Sequence, residues 1–218
     1  MTTNVELKSD KIILESVHLF QGKRPVLCDV NISFFKKEIT VIFGENGAGK
    51  TTLLYALSRQ IDVESGKIFL EGSIVSFAPD SFLLWKNLKV GELFNFFKLK
   101  NSQKNWIDFL ESFLMVEQFR GEFFHRLSFG QKKRVQTFFC LMNKPDFILF
   151  DEPFSGLDFF QKKNFLKFFL ELKKEVGVIL TVHEVEVLKK IADQIVVIKS
   201  NKIETFKNNE YDFHEYIK

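Results

Sequence analysis

Apolar and polar residues alternate from Lys11 to Phe20 and again from Val26 to Phe35, on either side of the turn-forming run Gly22-Lys23-Arg24-Pro25. A period of two turns one face of a strand inward and the other to water, so the pattern predicts an antiparallel pair. Glu38 to Phe43 breaks the alternation: ITVIF is a nearly continuous apolar run with β-branched residues, as a strand covered on both faces requires, and it leads directly into a glycine-rich loop. A helix is expected next, over Thr51 to Arg59. Lys67 to Glu71 and Ser73 to Phe77 read as a second strand pair around Glu71-Gly72. From Ser81 to about Arg126 apolar residues recur at three- and four-residue spacing, as in LFNFFKL and WIDFLESFL, which predicts a helical lobe. Phe147 to Phe150 and Val176 to Val182 are further buried-strand runs, separated by the amphipathic stretch Phe159 to Glu175; that order implies a parallel α/β core. Ile195 to Ile198 and Lys202 to Phe206 form a hairpin pattern around Ser200-Asn201.

Composition narrows the class. A chain of 218 residues with 45% hydrophobic content buries a real interior as one domain without disulfide staples. Cys28 and Cys140 lack any metal-ligand spacing and read as reduced thiols, which points to the cytosol. No stretch approaches the roughly 18 apolar residues of a spanning helix, and Met1 to Asp10 lacks a signal-peptide hydrophobic region, so neither membrane crossing nor secretion is expected. Thirty-one Lys and Arg against 28 Asp and Glu leave +3, spread in pairs such as Lys36-Lys37, Lys132-Lys133 and Lys189-Lys190, so no nucleic-acid partner is expected. The 28 phenylalanines, beside abundant Lys, Asn and Ile, suggest AT-biased codons more simply than special packing.

The candidate chemistry begins at GENGAGKTT, Gly44 to Thr52. Gly44, Gly47 and Gly49 permit close backbone approach, so the N–H groups of Glu45, Asn46, Gly47, Ala48 and Gly49 can wrap a phosphate at a helix N-terminus. Lys50 supplies a mobile positive charge for the β- and γ-phosphates, the Thr51 hydroxyl suits a Mg²⁺ ligand, and Thr52 adds a phosphate hydrogen bond. ATP and Mg²⁺ are the cofactors expected. In FILFDEP, Phe147 to Pro153, an apolar strand delivers two carboxylates: Asp151 for the Mg²⁺ shell and Glu152 to polarise the attacking water.

LSFGQ at Leu127 to Gln131, shortly before FILFDEP, resembles the signature motif of ATP-binding cassette (ABC) proteins. The resemblance spans nearly the whole chain: SGLD at Ser155 to Asp158 is similar to the D-loop, His183 to the switch histidine, and Phe20 to the aromatic adenine platform. It implies a P-loop NTPase fold of the RecA-like α/β class, a mainly parallel mixed sheet with an N-terminal antiparallel β subdomain and an inserted helical subdomain. The implied division is residues 1–80 with 127–218 as nucleotide-binding core and 81–126 as helical insertion. It further implies two cassettes, as a homodimer or heterodimer, closing head to tail so that Ser128, Phe129, Gly130 and Gln131 meet the ATP of the partner, with Glu152 as general base aided by His183 and Lys50.

Three positions depart from the family pattern. Asp80 falls where a glutamine usually begins the Q-loop hinge; a carboxylate there adds charge near the phosphates and lacks the amide donor, leaving both a hinge and a metal role open. Phe129 replaces a small residue, with the following Gly130 retained. Phe20 stands where tyrosine is more frequent, and either stacks on adenine or packs among the strands. The cassette resembles the subunit that powers a separate integral membrane permease from the cytoplasmic face, with WKNLKVGELFNFF and DEPFSGLD nearer to short, haem-exporter-like cassettes. A soluble ABC ATPase of DNA repair or translation is the alternative. Phe82, Leu83, Leu84, Trp85, Leu88, Leu93, Phe94, Phe96 and Phe97 either line a groove for a permease helix or form the core of the lobe.

Overall fold

The apolar run after Glu38 becomes the central strand of a six-stranded sheet. In the computed structural model, which describes residues 10–81, 87–97, 103–184 and 189–208, β3 (Ile39–Gly44) lies between β7 (Gly177–Val182) and β8 (Gln194–Lys199), parallel to both. β6 (Phe147–Phe150) pairs parallel with β7, and β5 (Val75–Ala78) parallel with β6. β9 (Lys202–Lys207) closes the far edge antiparallel to β8, giving the order β5-β6-β7-β3-β8-β9. Every residue of β6 and of β7 is buried, as continuous apolar strands between two layers must be.

The alternating N-terminal segments form a separate sheet. β1 (Lys11–Gln21) pairs antiparallel with β2 (Arg24–Phe35), and β4 (Ser65–Phe69) joins the other edge of β1. Here one expectation fails. β4 and β5 do not pair around Glu71-Gly72; they belong to different sheets. β5 finds a fully buried parallel neighbour in β6, while β4, whose side chains are half-buried or exposed, serves as an edge of the antiparallel sheet. Glu71 and Gly72, both with positive φ, carry the chain from one sheet to the other.

Two apolar clusters lie on the two faces of the central sheet, and alternation along β3 sends Ile39 and Val41 to one and Ile42 to the other. The second cluster joins the antiparallel sheet to α1 (Lys50–Leu57). The first gathers α2 (Val90–Phe97), α3 (Lys104–Leu114), α4 (Phe129–Leu141) and α5 (Phe159–Leu172). Phenylalanines organise it: the Phe169 ring meets Phe150 at 5.0 Å and Phe154 at 5.5 Å in edge-on contacts, and Phe165 and Phe168 flank it. Whatever their codon origin, these rings pack as a set.

Among the described residues, the lobe expected over Ser81 to Arg126 contains α2, α3 and two short 3-10 turns, Glu117–Phe119 and Phe124–Arg126. Of the aromatic groove residues expected there, Leu93 and Phe94 are buried in the first cluster and Leu88 is exposed. Phe82, Leu83, Leu84, Trp85 and the side chains of Phe96 and Phe97 lie outside the described residues.

Candidate nucleotide site

Gly44 ends β3, Glu45 to Gly49 form the loop, and Lys50, Thr51 and Thr52 open α1. The loop can close only with glycine at Gly49, which takes φ +107° and where a Cβ would stand 2.6 Å from Val26 Cγ1. Lys50 is 5% exposed and its ammonium donates to the carbonyls of Gly44 (2.8 Å) and Glu45 (3.0 Å). Burial pulls its pKa below the ordinary lysine value, with the Glu152 and Asp151 carboxylates opposing.

The parallel sheet brings the second acidic motif alongside. Asp151 leaves the end of β6 and is held from both sides: Thr51 Oγ1 donates to Oδ2 at 2.9 Å, and Thr181 Oγ1, at the end of β7, donates to Oδ1 at 2.9 Å. The same Thr181 oxygen accepts the backbone N–H of Glu152 at 2.8 Å. Glu152 takes a left-handed backbone, φ +48°, and its Oε1 is hydrogen-bonded to His183 Nε2. Thr51, Asp151, Thr181, Glu152 and His183 are thus joined by hydrogen bonds into one group, with the Lys50 charge within electrostatic reach of both carboxylates.

Two adjoining cavities, about 190 and 690 Å³, share Arg24, Asn46, Gly47 and Asn201. Gly49 to Thr52 and Glu152 line the smaller; Gly44 to Ala48 and His183 line the larger. Together they offer the scale of a small-ligand site, lined along one side by the glycine loop. Sequence marked Arg24 and Asn201 as turn residues only, not as part of the site. Asn201 braces the rim, its carboxamide donating to the carbonyls of Pro25 (2.8 Å) and Val26 (2.9 Å). Phe20, 37% exposed, is not among the residues lining either cavity, although its neighbour Gln21 lines the smaller.

Ser128, Phe129, Gly130 and Gln131 do not line these cavities. Ser128 caps α4 in a reciprocal box with Gln131, each side chain bonding the other residue's N–H. A Cβ on Gly130 would stand 2.5 Å from Gln161 Oε1, and one on Gly156 would stand 2.7 Å from Phe129 Cε1, so the signature and SGLD segments interlock. Asp158 caps α5 by accepting the Gln161 N–H at 2.8 Å. Asp80 is bonded to Lys133 Nζ at 2.8 Å.

A glycine loop between a buried strand and a helix, opposed by a carboxylate two strands away, defines the P-loop class of nucleoside-triphosphate-binding proteins. The sequence profile of the ABC transporter family matches residues 27–155, and the chain belongs to that family. It is 30% identical over 198 residues to an uncharacterized ABC transporter ATP-binding protein of Methanocaldococcus jannaschii, covering 88% of this chain and 75% of that one. A petrobactin import ATP-binding protein of Bacillus subtilis is 28% identical over 204 residues, with 84% and 81% covered. Against a Bacillus cereus ABC transporter ATP-binding relative, the chain spans only 36% of that protein's length. A nucleotide-free ATP-binding cassette from an ABC transporter shares the fold at TM-score 0.80 and 19% identity, with 91% of this chain and 92% of that one covered. The chain is an ATP-binding cassette and an ATPase.

Proposed function

We propose that the chain binds MgATP on Gly44–Thr52 and hydrolyses it to drive a separate integral membrane permease from the cytoplasmic face. The observation that carries this reading is the connected group beside the loop, Thr51–Asp151–Thr181–Glu152–His183. Loop amides and Lys50 hold the phosphates, the ammonium moving from the Gly44 and Glu45 carbonyls to the β- and γ-oxygens. The Thr51 hydroxyl and the Asp151 carboxylate fit Mg²⁺, a hard cation that keeps waters and takes one or two protein oxygens beside those of the phosphates. Held there, the ion would supply positive charge to offset that on the transferring phosphoryl group. Glu152 takes a proton from the attacking water, and His183, bonded to that carboxylate, aligns it.

Ser128 and Gly130 lie away from this chain's own loop cavities, which supports a head-to-tail dimer in which they meet the partner's ATP. Their place at the start of α4 suits an anion. We keep residues 1–80 with 127–218 as the nucleotide-binding core and 81–126 as helical insertion, and assign Asp158 to the contact between subunits. We give Phe20 the edge of the adenine side, through its neighbour Gln21. Among the described residues no helix is long and apolar enough to cross a membrane, so the permease is a separate chain or segment. The names of the relatives favour transport over DNA repair or translation. Matches with both an import protein and, at the level of fold, an Atm1-family exporter leave direction to the membrane partner.

Glu152→Gln tests the assignment. It is expected to bind ATP as the parent does while turnover drops by about 10²-fold or more, the scale of losing a positioned base. Undiminished hydrolysis would remove Glu152 from that role.

A further inference from the structure

Helix α4 grips the segment that follows β5 at three points. Gln136 Nε2 donates to the carbonyls of Pro79 (2.7 Å) and Ser81 (3.3 Å), and Lys133 Nζ donates to Asp80 Oδ1 at 2.8 Å. Lys133 makes a second bond, to the backbone carbonyl of Glu152 at 3.0 Å, and its ammonium lies 5.6 Å from the Phe129 ring centroid. Its side chain is 4% exposed. An ammonium so enclosed is offset best by an opposite charge, which the Asp80 carboxylate supplies and a neutral amide at position 80 would not. An acid at the hinge and a lysine inside α4 therefore make sense as a pair.

Both peptide groups of Glu152 are then fixed from outside β6. Thr181 takes its N–H, and Lys133 holds its carbonyl, at a residue whose φ of +48° costs energy unless its surroundings impose it. We infer that Lys133 is a positioning residue for hydrolysis: its ammonium ties Asp80 to the backbone of Glu152, so that the hinge sets the direction from which the Glu152 carboxylate reaches water. Asp80 acts through Lys133 and is not a metal ligand. This rests on Glu152 as the general base.

The test is steady-state MgATP hydrolysis by the full chain carrying Lys133→Gln, Lys133→Arg, Asp80→Asn, or Asp80→Asn with Lys133→Gln. Each of Lys133→Gln and Asp80→Asn should lower kcat about tenfold with KM for ATP within about twofold, because binding groups are untouched. The double variant should fall no further than the worse single, since the two side chains are one unit. Lys133→Arg should regain most of the rate. Losses that multiply in the double variant would overturn the coupling. So would an Asp80→Asn enzyme needing more than about threefold higher Mg²⁺ for half-maximal rate, which would make Asp80 a metal ligand. A drop in melting temperature with kcat intact would reduce the pair to a structural tie and also overturn the proposal. Asp80 is half exposed, so Asp80→Asn carries the test if Lys133→Gln does not fold. Glu152→Gln assayed in parallel separates failure of the base assignment, seen in that variant alone, from failure of the coupling, seen in the double variant.

Discussion

Thr181 holds more of the site than its size suggests. Its hydroxyl is fully buried, donates to Asp151 and accepts from the Glu152 N–H, so Thr181→Val keeps the shape but leaves Asp151 Oδ1 and the Glu152 N–H without that partner. We expect a stability loss of about 1–3 kcal/mol in denaturant unfolding, the usual cost of orphaned buried groups, with hydrolysis slowed as well. Lys50 makes a second residue-scale prediction. Burial lowers its pKa, and phosphate would raise it, so ATP binding favours the protonated form. Below the lowered pKa affinity is flat in pH; between the free and bound pKa values it should fall by up to about tenfold per pH unit, and Lys50→Met should bind weakly without that alkaline fall. Titrating a fluorescent ATP analogue across alkaline pH reads it. At this scale the sequence revealed the loop, Asp151 and Glu152 because their residue types follow apolar strands. A lone polar residue in VGVILTV was the available sign of Thr181. Lys133 appeared only as half of a charge pair, since its partners are 53 and 19 residues away.

At the scale of elements, the two motif helices α4 and α5 start on their own caps, which divides structural from chemical roles. Asp158→Ala should cost about 1 kcal/mol by losing the bond to Gln161, while Asp158→Asn keeps the cap. If activity falls equally in both, Asp158 does more than cap. A Cβ at Gly130 would press only on the flexible end of Gln161, which can move aside. Gly130→Ala should therefore melt within a few degrees of the parent, and any large loss of ATPase reports the phosphate contact. Phe169, fully buried among other rings, should cost about 3–5 kcal/mol when cut to alanine. Strands with a full period-two or continuous pattern were readable from sequence, as β1, β2, β3, β6, β7, β8 and β9 are. β4 and β5 were recognisable as strands but not in their pairing, because a turn such as Glu71-Gly72 reverses a chain equally well within one sheet or between two.

For the whole molecule, the expected working unit is a pair of cassettes with ATP between them. Glu152→Gln with ATP should elute at twice the monomer mass and return to monomer when nucleotide is removed. Adding Ser128→Arg should abolish the dimer; its persistence would rule out the head-to-tail arrangement. Measuring such transitions calls for a reporter, and the bracing of Asn201 decides where one belongs. The exposed Ser200-Asn201 hairpin turn invites insertion of an epitope or fluorophore. Yet Asn201 is bonded through its side chain to Pro25 and Val26, and its carbonyl accepts the Cys28 N–H at 2.8 Å. A tag placed there would lever the N-terminal sheet away from the nucleotide and report its own damage. A Cβ at Gly72 would meet no atom within 4 Å, and its neighbour Glu71 is exposed on the turn between the sheets, so a label on Glu71 should leave ATP binding as it finds it.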